Sequence, residues 1–354
     1  MIRIGTRGSQ LALWQAHHIA DHLRHAGHAV SIEVIRTTGD RLQEVTFAQV
    51  GTKGMFTLEI EQALAAGRID LAVHSLKDLP TTLPDGFVLA ATPPRVDARD
   101  VLVSQHHRSL ADLPVGARLG TSSLRRRAQL LALRPDLEAV EFRGNVDTRL
   151  RKLAEGQVDA ILLAAAGLDR LEKTDWLRER IAPEHICPSA GQGALGLETR
   201  ADDSAALAAL RFLDDPATRF AVTAERTALA ALGGGCQVPV GVHCRRLPSA
   251  DPAATPAWEI LAVVADPGGH PLLRARCTLA LDLTAPDLTQ PAAADLGQSV
   301  ARQLLDQGAA ELLRRAEISG SANPGAGHLE TAKSETAKSE TAKAEIAKAG
   351  VAQP

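Results

Sequence analysis

Residues 2–35 read IRIGTRGSQLALWQAHHIADHLRHAGHAVSIEVI, and this stretch decides the fold class. It begins with a short β-branched run, continues with a helical pattern at 11–27 and returns to a β-branched run at 30–35. The alternation goes on with FTLEIEQALAAG at 56–67 and IDLAVH at 69–74. Strands that alternate with helices in this way are typical of an α/β domain.

A second unit of the same kind begins near Arg99. Its strand and helix patterns are, in order, DVLVS (100–104), LGTS (119–122), SLRRRAQLLALRPD (123–136), AVEF (139–142), VDTRLRKLAEG (146–156) and VDAILLA (158–164). Gly5-Thr6 and Gly120-Thr121 each end a predicted strand and open a Ser-led helix. This echo favours two related α/β domains in succession.

The remaining sequence changes character. Residues 202–232 predict two Ala/Leu-rich helices, and the strands at 258–265 and 272–281 are joined across DPGG, as in an antiparallel hairpin. One long helix at 295–317 is expected to close this small α+β domain. From Ser319 the chain repeats TAKSE with no apolar stripe beyond Ala, which predicts a solvated tail.

Composition excludes several classes of function. The chain has 354 residues, a formal net charge of −3 and 45% hydrophobic residues, as an ordinary globular protein does. Six Phe, three Trp and no Tyr are too few for the stacking platforms of single-strand nucleic-acid binders. No run of about 18 apolar residues occurs, so we expect no membrane span. The five histidines between residues 17 and 28 lack converging acidic or Cys partners, so we expect no metal site.

Cysteine usage indicates a reduced, cytoplasmic protein. The four cysteines form no C-x-x-C pair, and the start MIRIGTRGSQ shows no secretory signal pattern. Cys187, Cys244 and Cys277 are expected to be small buried hydrophobes. Cys236 differs because it follows the glycines 233–235, whose freedom leaves room beside the thiol. An attachment point and a nucleophile are equal alternatives for it, since no base is evident nearby.

Basic residues crowd one helix N-terminus. Arg125, Arg126 and Arg127 follow Thr121-Ser122-Ser123, where the helix dipole disfavours cations. A solvated helix face is the ordinary reading of such a run. The position favours a carboxylate or phosphate receptor instead, and a negative group should therefore lie nearby.

The segment LAVHSLKDLP, residues 71–80, runs from a predicted buried strand into a polar loop. Lys77 and Asp78 are either a surface pair before Pro80 or groups that face a cleft between the two α/β domains. In the second case the Asp78 carboxylate is placed to stabilise a cation or to move a proton.

Eight motifs occur in the order found in one family: GTRGSQLALWQA (5–16), VGTKGMF (50–56), AVHSLKDLP (72–80), LGTSSLRRRAQL (119–130), FRGNVDTRL (142–150), AAAGLDRL (164–171), PSAGQGALGLE (188–198) and TAERTALAALGGGCQVPVG (223–241). The chain resembles the porphobilinogen deaminase, or hydroxymethylbilane synthase, family from residue 1 to about residue 318. Leu58 departs from the pattern, since relatives commonly have Lys there.

The resemblance implies two α/β domains of the periplasmic-binding-protein type around a cleft, followed by a small α+β domain. It places domain 1 at 1–95 and 192–213, domain 2 at 96–191 and domain 3 at 214–318, with the tail at 319–354. Domain 1 is thereby discontinuous, because the chain returns to it after the PSAGQGA motif.

The activity implied is a transferase reaction of tetrapyrrole and heme biosynthesis. Four porphobilinogen molecules condense head to tail with loss of ammonia, which gives the linear hydroxymethylbilane. A dipyrromethane cofactor, bound through a thioether to Cys236, primes the chain. The resemblance also implies a cytoplasmic monomer without metal, nucleic-acid or membrane partners.

The resemblance assigns roles by matching positions. Asp78 matches the catalytic carboxylate. The matching cofactor contacts are Lys77, Thr121, Ser123, Arg125, Arg126, Arg143 and Asn145. The matching substrate contacts are Arg7, Ser9, Lys53, Arg149 and Arg170. Arginine suits a substrate that carries acetate and propionate groups, because its guanidinium binds carboxylates in a bidentate manner.

Two other classes of function compete with the enzyme. A non-enzymatic anion-binding module also suits two lobes and a hinge, but it predicts an export signal or a fused partner domain. A nucleic-acid-binding regulator would use the Arg-rich stretch, but the negative net charge argues against it.

Overall fold

The computed structural model describes residues 1–38, 57–233, 238–251, 254–284 and 286–321. Lys53, Cys236 and the tail from residue 322 onward lie outside the described residues. Within these ranges, no helix combines the length and the apolar character that crossing a membrane requires.

The strands are β1 (Ile2–Thr6), β2 (Val30–Val34), β3 (Leu71–Ser75), β4 (Phe87–Ala91), β5 (Asp100–Val103), β6 (Arg118–Gly120), β7 (Glu138–Val140), β8 (Ala160–Ala164), β9 (Leu177–Arg180), β10 (Leu195–Arg200), β11 (Val240–Arg246), β12 (Ala257–Ala265) and β13 (Leu272–Ala280). The helices are α1 (Gln10–His25), α2 (Leu58–Ala65), α3 (Leu124–Leu133), α4 (Val146–Ala154), α5 (Ala165–Arg170), α6 (Ser204–Leu210), α7 (Pro216–Ala231), α8 (Pro286–Asp306) and α9 (Ala309–Ser321). Short 3-10 turns occur at Leu76–Asp78 and Arg211–Leu213.

The first sheet has the strand order β2-β1-β3-β10-β4. Strand β1 pairs in parallel with β2 and β3, whereas β10 runs antiparallel between β3 and β4. Helix α1 packs through Ile19 on the face that contains Leu71. Helix α2 packs through Ile60 on the face that contains Ala72. Since successive strand residues point to opposite faces, the two helices cover the sheet from both sides.

The second sheet repeats this plan in the order β7-β6-β8-β5-β9. Strand β6 pairs in parallel with β7 and β8, and β5 runs antiparallel to β8 and β9. In both sheets three parallel strands are followed by an antiparallel fourth strand. The echo between Gly5-Thr6 and Gly120-Thr121 therefore has a structural counterpart, because both pairs lie at or next to the end of the middle parallel strand.

The third sheet is antiparallel, in the order β11-β12-β13. Helices α7 and α8 pack together against it, with the Phe220 ring centroid 4.6 Å from that of Trp258. A Cβ atom on Gly297 would lie 2.3 Å from the Ala224 carbonyl oxygen. Glycine is thus required where α8 crosses α7 most closely.

The prediction of one closing helix at 295–317 is wrong. Helix α8 begins at Pro286, and a break after Asp306 separates it from α9. Gly308 lies in this break with φ of 96°, a left-handed conformation that glycine adopts without steric penalty. Helix α9 ends at Ser321, slightly beyond the predicted start of the tail. The predicted class, α/β units followed by a small α+β unit, is confirmed.

Candidate active site

The 3-10 turn Leu76–Asp78 follows β3 and carries two predicted site residues. Leu76 is buried, and its amide donates to the Ala194 carbonyl at 3.0 Å, which anchors the turn on the segment leading into β10. Asp78 is exposed, whereas Lys77 is partly buried. The turn therefore presents a carboxylate to solvent at the carboxyl end of a strand that pairs in parallel with β1.

The loop at residues 191–193 packs directly against this turn. Gly191 has φ of 72°, and a Cβ atom there would lie 3.2 Å from the Lys77 amide nitrogen. The Lys77 Nζ donates to Gln192 Oε1 at 3.5 Å. Burial, together with the charge of Arg126, lowers the pKa of Lys77 to about 8. Lys77 thus faces the protein interior, which favours the cleft alternative over the surface pair.

A buried carboxylate that we did not predict holds two of the predicted arginines. Asp100 Oδ2 accepts from Arg125 Nη1 at 2.6 Å, and its Oδ1 accepts from Arg126 Nη2 at 2.7 Å. Burial alone would raise the pKa of Asp100, but the two guanidiniums hold it well below its usual range. We expected a negative group beside these arginines, and the chain itself supplies it. An acidic residue at the start of the apolar run DVLVS was the signal in the sequence.

Four predicted contact residues also have local structural partners. Ser9, Ser123 and Asn145 are the N-caps of α1, α3 and α4, and each side chain accepts a backbone hydrogen bond in the first turn. Thr121 Oγ1 accepts from the Ser123 amide at 3.2 Å. N-capping satisfies donors that a helix start leaves free. Helix capping therefore explains part of why these residue types stand at these positions, and their role in binding stays a prediction.

Arg149 and Arg170 are cations whose Nε atoms are buried and have no hydrogen-bond partner among the described residues. Burial lowers the pKa of both to about 10, and the charges of Arg126 and Arg143 contribute for Arg149. Both remain charged at neutral pH. A buried, unsatisfied donor on a charged group is costly in free energy, so these positions favour an anionic ligand.

Arg7 and Arg143 complete the predicted arginines. Arg7 is partly buried in the loop between β1 and α1. Arg143 is also partly buried and forms an ion pair with the exposed Glu141. Both follow the parallel strands of their sheets at the carboxyl ends, where α/β units usually bind ligands.

Gln192 links the end of β3 to the Arg126 ion pair, because its Oε1 accepts from Lys77 Nζ at 3.5 Å and its Nε2 donates to Asp100 Oδ1 at 2.9 Å. Arg126 acts on Lys77 from across the two units and also on Arg149, which in turn is affected by Arg143. The structure therefore brings the end of β3 close to the Arg-rich helix starts of the second unit. Such an arrangement of cations suits a molecule with several carboxylates, and Asp78 adds an exposed carboxylate at the end of β3. Among the described residues, no group of three or more His, Cys, Asp or Glu side chains is placed to hold a metal ion.

Comparison with known proteins decides the family. The family model "Porphobilinogen deaminase, dipyromethane cofactor binding domain" matches residues 2–208, and the model of the C-terminal domain of porphobilinogen deaminase matches residues 219–306. The chain belongs to the porphobilinogen deaminase family. It is 48% identical to the porphobilinogen deaminase of Nitratidesulfovibrio vulgaris over 320 residues, 90% of this chain and 97% of the relative. It is 51% identical to that of Desulforudis audaxviator over 314 residues, 88% of this chain and 96% of the relative.

Solved structures similar to the chain include substrate-binding proteins. A methionine-binding lipoprotein of Bacillus subtilis is 14% identical with a TM-score of 0.38, covering 60% of this chain and 89% of its own. A periplasmic substrate-binding protein of an ABC transporter from Coxiella burnetii is 18% identical with a TM-score of 0.38, covering 62% of this chain and 94% of its own.

Membership in the porphobilinogen deaminase family confirms the resemblance, the transferase class and the dipyrromethane cofactor. The residues present fit that group, because dipyrromethane carries carboxylates and the site contains buried guanidinium donors that the described residues leave unsatisfied. Burial raises the pKa of the Cys187 and Cys244 thiols, which makes them poor nucleophiles. Cys277 on β13 is partly buried, and its thiol pKa is raised as well.

Proposed function

We propose that this porphobilinogen deaminase condenses four porphobilinogen molecules into hydroxymethylbilane, with Asp78 as the catalytic carboxylate and Cys236 as the attachment point of dipyrromethane. One observation supports the proposal: Asp78 is an exposed carboxylate at the end of β3, and the Nε donors of Arg149 and Arg170 are buried without a hydrogen-bond partner among the described residues. A polycarboxylate substrate with a cationic reaction intermediate needs both features.

We assign the binding of substrate carboxylates to the cationic side chains. Arg149 and Arg170 take substrate or chain carboxylates through donors that the described residues leave unsatisfied. Arg125 and Arg126 share Asp100, so together they carry one net positive charge and keep a fixed orientation. The remaining matched contacts are proposed with the assignments made from the sequence: Arg7, Ser9, Lys53, Lys77, Thr121, Ser123, Arg143 and Asn145.

We assign the chemical step to Asp78. Loss of ammonia from porphobilinogen leaves a delocalised azafulvenium cation, which a nearby carboxylate stabilises without being consumed. When bound, dipyrromethane would supply the nucleophilic pyrrole carbon for the condensation. Asp78 would accept the proton that the condensation releases, because its carboxylate is exposed at the end of β3.

We further propose the domain division 1–95 with 192–213, 96–191 and 214–318. In its support, β10 completes the first sheet although it follows the whole of the second sheet in the chain. We also propose a monomeric, cytoplasmic enzyme that acts on porphobilinogen alone.

The decisive experiment is to incubate the purified full chain with porphobilinogen. We expect ammonia release and a product that gives uroporphyrin after acid treatment and oxidation. Porphobilinogen consumption with a ratio of one ammonia per molecule supports the reaction. Saturable binding without ammonia release would instead show an anion-binding module and overturn the proposal.

A further inference from the structure

One aromatic contact joins the first and second α/β units next to the site. The Arg170 guanidinium carbon, on α5, lies 5.9 Å from the ring centroid of Trp14, on α1. The helices approach closely at Gly167, where a Cβ atom would lie 3.7 Å from Leu11 Cδ2. The contact is thus part of a packed junction between elements that belong to different sheets.

The contacts of Arg170 among the described residues leave one of its hydrogen-bond donors unsatisfied. Its Nη2 donates to the Gly193 carbonyl at 2.8 Å, but its Nε has no hydrogen-bond partner within the described ranges. The neighbouring Asp169 does not neutralise it by ion pairing, because that carboxylate pairs with Arg180 at 2.6 Å. A buried guanidinium in this state is held by one carbonyl and by the face of an aromatic ring.

The Trp14 ring is itself fixed by further stacking. The His18 ring lies parallel to it, at a centroid distance of 5.0 Å and an angle of 12°, and His22 contacts His18 edge-on at 4.6 Å. Burial and the nearby His22 and Arg170 lower the pKa of His18. His18 therefore stays neutral near pH 7, and Arg170 is the cation that benefits from the electron-rich face of Trp14.

We propose that Trp14 is a positioning residue: it holds the Arg170 guanidinium in the cleft so that the unsatisfied Nε–H binds a carboxylate of porphobilinogen or of the growing chain. The inference rests on the proposed role of Arg170 in substrate binding. Trp14 acts through Arg170, and it does so from the opposite α/β unit. Substrate affinity is thereby coupled to the packing of α1 against α5.

A double-mutant cycle tests the proposal. We expect Trp14→Leu to raise the KM for porphobilinogen about two- to thirtyfold and to leave kcat within about twofold of the wild type. This range corresponds to the loss of a cation–π contact worth about 0.5–2 kcal/mol, because about 1.4 kcal/mol changes an affinity tenfold. Trp14→Phe retains an aromatic face and should restore most of the affinity. In an Arg170→Gln background, Trp14→Leu should change KM by less than about twofold, because the partner is gone.

A spectroscopic readout is independent of turnover. Removal of the guanidinium by Arg170→Gln should change the tryptophan emission of the wild type but not that of Trp14→Phe. Trp176→Phe is the matched control, since Trp176 packs against the core of the second unit and is not among the proposed site residues, and it should leave KM unchanged. Melting temperatures establish that each variant is folded, and the tryptophan emission of Arg170→Gln decides the test if Trp14→Leu does not fold.

The outcomes separate two failures. If Trp14→Leu raises KM equally in both backgrounds, Trp14 contributes only packing, and the inference is wrong while the proposed function stands. If Arg170→Gln leaves KM unchanged, the assignment of Arg170 fails first, and the inference falls with it. An unchanged emission in Arg170→Gln would show that the contact does not exist in solution.

Discussion

The carboxylate of Glu225 accepts a hydrogen bond of 2.7 Å from the amide of Gly191, and this bond joins helix α7 to the loop that packs against Lys77. Glu225 is fully buried and also accepts from Arg95 Nη1 at 2.6 Å and from the Cys244 amide at 2.7 Å. Burial alone would raise the pKa of Glu225, but Arg95 and His243 keep it lowered. One carboxylate thus connects the third sheet, the Arg95 segment and the loop that packs against the Leu76–Asp78 turn.

Glu225→Gln should strongly destabilise the protein. The amide keeps one acceptor but leaves the largely buried Arg95 without a counter-charge, which typically costs about 3–5 kcal/mol. Urea denaturation measures this free energy of unfolding. Glu155→Gln is the matched control, because Glu155 forms an exposed helix-end pair with Arg151 and should change stability by less than about 0.5 kcal/mol. Equal stability of the two variants would contradict the central role of Glu225.

Asp78→Asn should reduce turnover at least about a hundredfold. The amide retains size and one acceptor but loses a Coulomb interaction of about 4 kcal/mol at about 4 Å for an effective dielectric near 20, and about 1.36 kcal/mol corresponds to a factor of ten. The rate of ammonia release at saturating porphobilinogen measures the turnover of the variant. Asp85→Asn, at an exposed turn, should be near wild type. If Asp78→Asn weakens substrate binding while its kcat is normal, Asp78 is a contact residue instead.

The alkaline limb of kcat/KM should follow Lys77. With a pKa of about 8, its ammonium is lost above that pH, and with it a charge that attracts substrate carboxylates. Lys77→Arg should move the limb to higher pH because guanidinium stays protonated. The stability of the fold should change in the opposite direction to activity. The pKa of Lys77 is about 8 in the folded protein and about 10.4 in the unfolded chain, so between these pH values the unfolded state binds more protons. Folding should therefore become more favourable as the pH rises through this range.

Asp100 should dominate part of the acid unfolding. The pKa of Asp100 is lower in the folded protein than in the unfolded chain, where it is about 3.9. The Asp100 carboxylate therefore contributes to the free energy of unfolding above about pH 3.9, and this contribution is lost as the pH falls through the folded-state pKa. Asp100→Asn should therefore be less stable at pH 7 and lose less stability on acidification. Thermal melting between pH 7 and pH 2 measures the stability at neutral pH and its loss on acidification. Parallel curves for wild type and variant would refute this assignment.

Cys236→Ser should abolish cofactor attachment. Intact-mass analysis of the purified wild type should exceed the chain mass by one dipyrromethane, whereas the variant should have the bare chain mass and no activity. Cys277→Ser is the matched control and should carry the full increment, because the pKa of Cys277 is raised by burial. An active wild type of unmodified mass would eliminate Cys236 as the attachment point.

Periodicity and strand-end residues predicted much of the fold. The alternation in residues 2–35 predicted β1, α1 and β2, and the Gly-Thr echo predicted the shared plan of the two sheets. The closing helix was predicted as one piece, because local propensity does not reveal that Gly308 adopts a positive φ. That conformation depends on how α9 packs against the third sheet.

The sequence indicated candidate site residues but not their pairings. Asp78, Lys77 and the arginines were chosen from strand ends and from the family resemblance, and their roles in the site stay predictions. Asp100 and Glu225 were missed because their partners are far away in sequence: Asp100 meets Arg125 across 25 residues, and Glu225 meets Arg95 across 130. Charge complementarity over such distances leaves no local pattern in a single sequence.

The position of β10 between β3 and β4 has a consequence for synthesis on the ribosome. β10 pairs with β3 and β4 only after residue 200 has been made, whereas every strand of the second sheet is complete by Arg180. Non-local pairing of this kind is slow because a long loop must close first. The second unit is therefore able to fold co-translationally while the first waits with an open sheet edge. A nascent chain arrested near residue 190 should expose that edge and depend on chaperones at that stage.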